Sequence, residues 1–257
     1  MKSIAITSGK GGVGKTTFSA NLAIALSQFG QNVVLFDADL QLANVDVAIG
    51  LKADYTLKDV VDGDVSLTDS LTRGPAGIRV AVGGSAVSKL MTAGPKRLGQ
   101  FFDQIQELSA STDVLLYDTA AGLENRVVAF LKQADEIVLV TTPDPTAVTD
   151  AYAAAKVAWK RNPEAIIRVV VNMATSAEEA LALFNHLNTV SKNFLGRDLY
   201  YLGHVRADAQ AAHATRVRKP YVLHAPHADA SQDIVDIARL VWDQTRAWRA
   251  RPELVSA

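Results

Sequence analysis

Residues 9–17 read Gly-Lys-Gly-Gly-Val-Gly-Lys-Thr-Thr, and they follow the mostly apolar run Ile-Ala-Ile-Thr at residues 4–7. Gly9, Gly14, Lys15 and Thr16 meet the pattern G-x-x-x-x-G-K-[ST] of phosphate-binding loops. Glycines let backbone N–H groups approach a polyphosphate, and a helix beginning at the loop would direct its positive end at the same anion. The alternative is a glycine-rich turn that binds nothing. The predicted nucleotide-binding residues of the loop are Gly11, Gly12, Val13, Gly14, Lys15, Thr16 and Thr17.

The loop contains two lysines, although one is enough for an ordinary nucleotide loop. Lys15 is expected to neutralise the β- and γ-phosphates, and the Thr16 hydroxyl is expected to ligate Mg²⁺. Lys10 is the additional cation, and a solvated surface lysine is its simplest alternative interpretation.

Length and composition exclude several classes of protein. The chain has 257 residues, of which 49% are hydrophobic and 21% are charged, so it can form one large domain with a substantial core. The net charge of −1 gives no global basic field for nucleic acid. The sequence has no cysteine, which excludes disulfides and thiolate metal sites and fits a reducing compartment. We expect no signal peptide, because the sequence enters a strand at once, and no membrane span, because no apolar run reaches about 20 residues.

Apolar segments alternate with helical patterns along the whole chain. This order predicts an α/β fold with a doubly wound, mostly parallel sheet that helices cover on both faces. We expect a single P-loop domain over residues 1–257, with residues 230–257 as a C-terminal helix and tail. Strands are predicted at Ser3–Thr7, Asn32–Phe36, Ile78–Val82, Val114–Tyr117, Glu136–Thr141, Ile167–Val171 and Tyr200–Val205. Helices are predicted at Lys15–Gln28, Pro95–Ser109, Asn125–Gln133, Thr146–Arg161, Ala177–Phe194, Ala207–Thr215 and Ser231–Arg249.

Acidic residues end two of the predicted strands. Asp37 and Asp39 follow one strand, and Asp118 ends another. Ligands of open parallel sheets collect at the carboxyl ends of strands, where such acids can hold the water shell of a metal or orient an attacking water. Asp37 and Asp118 are therefore predicted near Mg²⁺, together with Thr16. A helix cap or an ordinary turn remains the alternative for these acids.

The second half of the chain offers further candidates. Asn172 ends a strand, and its amide can donate to and accept from an adenine edge at once. Asp144 precedes a helix and can equally be a capping residue. Arg206 is a candidate for stacking on the base or contacting a phosphate, and a surface arginine without such a role is the alternative.

The motif Lys-Gly-Gly-Val-Gly-Lys-Thr-Thr at residues 10–17 resembles the deviant Walker motif of the MinD/ParA superfamily. The resemblance extends from Met1 to about Arg239, and it implies a P-loop NTPase fold of the SIMIBI type that binds ATP or ADP with Mg²⁺. It implies that Lys10 reaches the partner's nucleotide across an ATP-dependent homodimer, while Lys15 acts in its own subunit. It also implies that Asp39 positions the hydrolytic water.

Other roles rest on the same resemblance. The segment from Asp37 to Asp46, which contains Asn44, resembles the first switch segment, and Gly122 matches the glycine that senses the γ-phosphate. The position matching Asp144 lies at the dimer interface, and the position matching Asp150 lies on the surface for a regulatory or cargo protein. The asparagine matching Asn172 reads the adenine edge. Relatives commonly have a proline where Arg206 stands.

The stretches at residues 118–122 and 144–152 look like the FlhG group of this superfamily, whose members limit flagellar assembly. FlhG proteins usually carry an N-terminal extension that stimulates the GTPase FlhF, and this sequence enters its first strand at once. We therefore expect a stand-alone FlhG/MinD-like positioning ATPase with slow, partner-stimulated hydrolysis. A ParA-like partitioning ATPase on the nucleoid is the alternative. A ligase or metal-insertion ATPase is a third class, and it predicts a small-molecule acceptor pocket for which the sequence shows no motif. Iron–sulfur carriers of this fold are excluded separately, because they bind clusters through cysteines that this chain lacks.

Two segments bear on the surface to which the protein binds. The segment Ile234–Arg249 is amphipathic, with Ile234, Ile237, Val241 and Trp248 on one stripe. The family resemblance implies membrane attachment through this helix in the ATP state, hence a cytoplasmic protein peripheral to the membrane. A helix that packs on the sheet is the alternative, favoured for Ile234–Val241. The basic residues His213, Arg216, Arg218 and Lys219 would serve nonspecific DNA binding in a ParA-like protein, and a solvated face is the simpler interpretation.

Overall fold

The computed structural model describes residues 1–39, 44–83, 94–122 and 125–249. In this part of the chain the strands form one sheet in the spatial order β3-β4-β2-β5-β1-β6-β7-β8. The strands are β1 (Lys2–Thr7), β2 (Val33–Ala38), β3 (Thr72–Arg73), β4 (Arg79–Ala81), β5 (Val114–Thr119), β6 (Glu136–Thr141), β7 (Ile166–Ala174) and β8 (Tyr200–Arg206). β3 is antiparallel to β4, and all other neighbouring strands are parallel. The predicted mostly parallel sheet is confirmed.

The central strands are buried on both faces. Every residue of β1, β2, β5 and β6 is buried, which suits the nearly unbroken apolar runs that predicted these strands. The pairing of β2 with β5 sets Asp37 beside Asp118 at the carboxyl ends of the strands. The topology thus brings together two acids that are far apart in the sequence.

Helices cover both faces of the sheet. They are α1 (Lys15–Gln28), α2 (Val45–Ile49), α3 (Leu57–Asp62), α4 (Leu67–Ser70), α5 (Pro95–Glu107), α6 (Asn125–Gln133), α7 (Pro145–Arg161), α8 (Ala177–Leu195), α9 (Ala209–Arg216), α10 (Tyr221–His224) and α11 (Asp229–Arg249). One apolar core lies between the sheet and α3–α8, and a second core lies between the sheet and α1, α2 and α9–α11. Both cores support the edge of the sheet at which the acids lie.

The segment between β2 and β4 contains elements that the sequence did not predict. α2, α3, α4 and the short β3 all lie there, within residues 45–73. α3 begins with a capping box, in which the Thr56 side chain accepts the Lys58 N–H and Asp59 accepts the Thr56 N–H. The Thr-x-x-Asp pattern was therefore available as a signal, but the helix it starts has only six residues.

The C-terminal helix α11 packs against the body of the protein. Ile234, Ile237 and Val241 are buried against α1 and β8, as the packing alternative predicted. The Trp242 ring stacks on Phe29, with ring centroids 5.8 Å apart. The side chain of Trp248 and residues 250–257 lie outside the described part of the chain. No helix among the described residues is long and apolar enough to cross a membrane.

Candidate functional site

The phosphate-loop sequence connects β1 to α1 as predicted. Gly12 and Gly14 have φ angles of 80° and 84°, in the left-handed region that favours glycine. A Cβ at Gly14 would also lie 2.4 Å from the Asn172 amide nitrogen, so two separate constraints require glycine there. A Cβ at Gly11 or Gly12 would meet nothing within 4 Å. The outer side of the loop is therefore open to an anion.

Lys15 lies inside the loop and is almost completely buried. Its Nζ donates to the Ser8 hydroxyl at 2.8 Å, and that hydroxyl donates to the Lys10 carbonyl at 2.7 Å. Burial lowers the pKa of the Lys15 ammonium, while Asp118 and Asp39 oppose the shift. Ser8 was not predicted as a site residue, because nothing in its sequence context distinguishes it from an ordinary strand-end serine.

Asp118 is a fully buried carboxylate at the end of β5. Its Oδ1 accepts the Ser19 hydroxyl at 2.8 Å, whereas Oδ2 is buried without a hydrogen-bond partner. Burial raises the pKa of Asp118 to about 6, against the lowering effect of Thr16 and Ser19. A buried carboxylate oxygen without a partner is expensive unless a cation or water meets it. This oxygen therefore fits a hydrated Mg²⁺ held between Asp118 and the Thr16 hydroxyl.

Asp37 anchors the backbone that follows β2. Its carboxylate accepts the N–H groups of Asp39, Asn44 and Val45 at 3.1, 3.1 and 3.3 Å. Burial and the neighbouring Asp118 raise the pKa of Asp37 to about 8. Asp37 thus positions Asp39 and Asn44, the described residues on either side of 40–43. Residues 40–43 of the predicted switch segment lie outside the described chain.

Other acidic or histidine ligands for the metal are few. Among the described residues, no group of three or more His, Asp or Glu side chains is arranged to hold a metal ion. A Mg²⁺ at this site would therefore take its remaining ligands from phosphate oxygens and water, as is usual for this ion.

Lys10 lies at the rim of the loop and contacts the start of α7. Its Nζ lies 3.0 Å from the Thr146 hydroxyl oxygen and 3.2 Å from Asp144 Oδ1. Asp144 also caps α7, since its Oδ1 accepts the N–H groups of Thr146 and Ala147. The Thr146 hydroxyl and Lys10 lower the pKa of Asp144 to about 2. The capping interpretation of Asp144 is confirmed, and the same carboxylate holds Lys10.

The loop also contacts α7 and the segment after β5. A Cβ at Gly9 would lie 2.1 Å from the Asp150 carbonyl oxygen, so the loop and α7 touch through their backbones. The Gly122 N–H donates to the Ser8 carbonyl at 3.1 Å. Asp150 and Gly122 are therefore direct neighbours of the loop, although neither was predicted to contact it.

Asn172 lies beside the loop, at the mouth of a mainly apolar cavity of about 590 Å³. Its Nδ2 donates to the Val13 carbonyl at 2.8 Å, so the end of β7 is joined to the loop. The end of β8 and the start of α9 also line it, through Val205, Arg206, Ala207, Asp208, Ala209, Ala211 and Ala212. The size and apolar lining suit a nucleotide base.

Arg206 has a different partner from the predicted one. Its guanidinium forms a two-point ion pair with Asp233 on α11, at 2.8 and 2.9 Å, and contacts Asp229 at 3.1 Å. Hydrogen bonds from three guanidinium nitrogens to these acids tie β8 to α11. A nucleotide contact of Arg206 stays a prediction, and it would have to compete with this ion pair.

A second cavity of about 770 Å³ contains the phosphate side of the site. It is lined by the loop and by residues from both sides of it, including Gly11, Gly12, Lys15, Thr16, Asp39 and Asn44. Gly14, Thr17, Met173 and Thr215 line both cavities, so the two cavities are adjacent. A parallel sheet, a glycine loop entering a helix and a buried aspartate on a nearby strand together define a P-loop nucleoside triphosphatase.

Comparison with known proteins gives the family. A family model, ParA, described as NUBPL iron-transfer P-loop NTPase, matches residues 1–242. The chain belongs to the ParA family of P-loop NTPases. It is 39% identical over 238 residues to the antiactivator FleN of Pseudomonas aeruginosa, covering 93% of this chain and 85% of FleN. It is 39% identical over 242 residues to the flagellum site-determining protein YlxH of Helicobacter pylori, covering 93% of this chain and 81% of YlxH.

Solved structures of MinD share the fold. The cell division ATPase MinD of Pyrococcus furiosus has a TM-score of 0.79 and 26% identity, covering 95% of this chain and 99% of that chain. MinD of Pyrococcus horikoshii, solved with Mg-ADP, has a TM-score of 0.77 and 27% identity, covering 93% of this chain and 95% of that chain. The MinC:MinD complex of Aquifex aeolicus has a TM-score of 0.77 and 25% identity, covering 95% and 96%. The resemblance to the MinD/ParA superfamily and its FlhG group is confirmed.

Proposed function

We propose that the protein is an ATP-dependent dimerising switch that positions or limits a cellular structure, as a FlhG/MinD-like ATPase. The observation that carries the proposal is the separation of the two loop lysines. Lys15 lies inside the phosphate cradle, whereas Lys10 lies at the rim and contacts Asp144 and Thr146. The likeness to FleN and YlxH supports a role in placement rather than in metabolism.

Each subunit binds one nucleotide through its own residues. The N–H groups of residues 11–17 surround the phosphates, and Lys15 exchanges the Ser8 hydroxyl for a phosphate oxygen. Thr16, Asp118 and Asp37 would hold Mg²⁺ and its waters, and the bound ion would supply positive charge next to the β- and γ-phosphates. The base enters the apolar cavity beside Asn172.

Dimerisation uses the residues at the rim. Lys10 leaves Asp144 and Thr146 and reaches the phosphates in the partner subunit, so that ATP joins two copies face to face. Gly122 moves its N–H from the Ser8 carbonyl to the γ-phosphate, and Asn44 and Asp150 lie on the faces that meet the second subunit and a regulatory protein. Asp39 aligns the attacking water. Slow hydrolysis then removes the bridging charge, and the dimer separates.

Size-exclusion chromatography with Mg·ATP tests this scheme. Lys15→Ala should abolish nucleotide binding, Lys10→Ala should bind ATP but remain monomeric, and Asp39→Ala should give long-lived dimers. Lys160→Ala, which removes an exposed lysine at the far end of α7, is the matched control and should behave as wild type. A Lys10→Ala protein that dimerises like the wild type would refute the proposal.

The surface used by the dimer is a separate proposal. We place the protein in the cytoplasm, with the ATP dimer peripheral to the membrane through the end of α11 and the tail that follows. Liposome and DNA cosedimentation with and without ATP tests it. ATP-dependent pelleting with anionic liposomes supports the membrane, whereas pelleting with DNA alone supports the ParA-like alternative on the nucleoid.

A further inference from the structure

The end of α9 and the turn that follows it carry two arginines next to the cavity that contains the phosphate side of the site. Arg216 is the last residue of α9, and Arg218 follows it by two positions. Both line the cavity of about 770 Å³ that is also lined by Gly11, Gly12, Lys15 and Thr16. The basic cluster that the sequence related to DNA thus contributes two cations to the wall of the nucleotide cleft.

Neither arginine has an acidic partner within ion-pair distance in the part of the chain that the structure describes. Arg168 and Arg206, by contrast, pair with carboxylates. Arg216 and Arg218 are exposed at the cleft. Cations that no protein carboxylate neutralises, placed beside an open ring of backbone N–H groups, are suited to an anionic ligand.

The backbone of the turn holds the second arginine in an unfavourable conformation. Arg218 has a φ angle of 55°, in the left-handed region where a helix end normally places glycine. The Arg218 N–H donates to the Thr215 carbonyl at 3.1 Å, and the Lys219 N–H donates to the Ala214 carbonyl at 2.9 Å. A non-glycine residue at this position costs backbone energy that glycine would avoid, so the turn is a candidate for a functional side chain.

The position of the turn indicates which part of the ligand it meets. Thr215 and Thr17 line both the phosphate cavity and the apolar cavity, and Arg216 follows Thr215 directly, so the arginines lie on the phosphate side next to the boundary between the two cavities. A nucleotide with its base in one cavity and its terminal phosphates in the other has its α- and β-phosphates at this junction. Guanidinium groups match phosphate oxygens through parallel N–H donors.

We propose that Arg216 and Arg218 bind the α- and β-phosphates of the nucleotide in their own subunit, as a second cationic wall across the cleft from Lys15. This inference rests on nucleotide binding as given in the proposed function, but it requires neither dimerisation nor hydrolysis. Because both phosphates are present in ADP and in ATP, the two nucleotides should depend equally on the arginines.

The test compares the affinities of Arg216→Ala, Arg218→Gly and Lys219→Ala for ADP and ATP, measured by calorimetry on the full chain. Each arginine variant should bind both nucleotides about five- to tenfold more weakly, as expected for an exposed charge-assisted hydrogen bond. Lys219→Ala removes the same charge from the same turn, but Lys219 does not line the cleft, so the affinity of this variant for both nucleotides should be unchanged.

Arg218→Gly should also raise the melting temperature, because glycine relieves the left-handed backbone. A more stable protein with weaker binding excludes misfolding as the cause.

Two results would overturn the inference. One is wild-type affinity for ADP in both arginine variants. The other is that these variants no longer cosediment with duplex DNA while their nucleotide affinity is unchanged. That result would show that the arginines bind nucleic acid instead of the nucleotide. If the wild-type chain bound neither ADP nor ATP, the proposed function itself would fail, and that result is separate from a failure confined to the arginines.

Discussion

At the scale of single residues, the same chemical group has different properties in different surroundings. Lys10 and Lys15 are five positions apart, yet Lys15 is buried against a hydroxyl and Lys10 is paired with a carboxylate at the surface. Ser8 lies between them, because it accepts from Lys15, donates to the Lys10 carbonyl and accepts the Gly122 N–H. One serine thus joins Lys15, the Lys10 backbone and Gly122.

Ser8→Ala should destabilise the nucleotide-free protein more than the nucleotide-bound protein. Without the hydroxyl, the buried Lys15 ammonium loses its acceptor, at a cost of about 1–3 kcal/mol. A bound phosphate would supply that acceptor again, so Mg·ADP should raise the melting temperature of the variant more than that of the wild type.

Ser70→Ala is the matched control for this measurement. Ser70 is also buried, and its hydroxyl donates to the Leu67 carbonyl at 2.8 Å, far from the loop. Its destabilisation should be the same with and without Mg·ADP. An equal response of the two variants would show that Ser8 has only a general packing role.

At the scale of elements, long and strongly patterned segments were predictable and short ones were not. The bounds of α1 and α6 agree with the sequence prediction, and so do those of β6. Each is a segment whose apolar pattern is set by burial. α2, α3 and α4 have four to six residues each, which is too few for a helical period to emerge from the sequence.

The same reasoning explains the outcome for the site. The loop motif predicted the phosphate-binding conformation because its glycines permit the backbone angles that this conformation needs. The predicted ends of the strands gave the positions of Asp37 and Asp118. Arg216 and Arg218 enter the site only through the packing of a distant segment, which no local pattern encodes. Ser8 directly precedes the loop, but only the structure shows that its hydroxyl joins Lys15 to the Lys10 carbonyl. The partner of Arg206 was unpredictable for the same reason, since Asp233 lies on a helix 27 residues further on.

Trp242 tests whether α11 is a packing helix or a membrane helix. Its ring stacks on Phe29, and the Arg246 guanidinium lies 4.9 Å from its centroid. Trp242→Ala should lower the free energy of unfolding by about 2 kcal/mol, measured by urea denaturation, because a half-buried aromatic contact is lost.

The same variant should leave ATP-dependent liposome binding unchanged, because the ring is already engaged within the protein. Leu240→Ala, on an exposed position of the same helix, is the control and should change stability by less than about 0.5 kcal/mol. Loss of liposome binding in Trp242→Ala at unchanged stability would contradict the assignment of this tryptophan to packing.

At the scale of the whole molecule, the order of the strands places two acids at the nucleotide site where their ionised forms are costly. Placing β2 beside β5 buries Asp37 and Asp118 as neighbours, and their pKa values rise to about 8 and about 6 from an ordinary value of 3.8. Burial is the main cause of both shifts, and the neighbouring Asp118 adds to the shift of Asp37, so the ionised carboxylates are costly unless a cation meets them. The ionised acids thus lower the stability of the nucleotide-free protein, and the same charges favour the binding of Mg²⁺.

The pH dependence of stability should reveal this arrangement. A carboxyl whose pKa is raised by folding binds its proton more tightly in the native state, so native stability falls as pH rises from about 3.8 towards the native pKa, by about 1.4 kcal/mol per pH unit for a single group. For Asp118 this window ends at about 6, and for Asp37 it ends at about 8.

Without nucleotide, Asp118→Asn should therefore be more stable than the wild type at pH 8, and the difference should shrink towards pH 4. Bound Mg·ADP should reverse the order at pH 8, because Mg²⁺ needs the ionised Asp118, and wild-type affinity for Mg·ADP should fall as pH drops through about 6. Urea denaturation at several pH values, with and without Mg·ADP, measures both effects, and Asp54→Asn, at an exposed position, should follow the wild type throughout. If Asp118→Asn were less stable than the wild type at pH 8 without nucleotide, the ionised Asp118 would stabilise the fold by itself. Its charge would then not need Mg²⁺ to balance it.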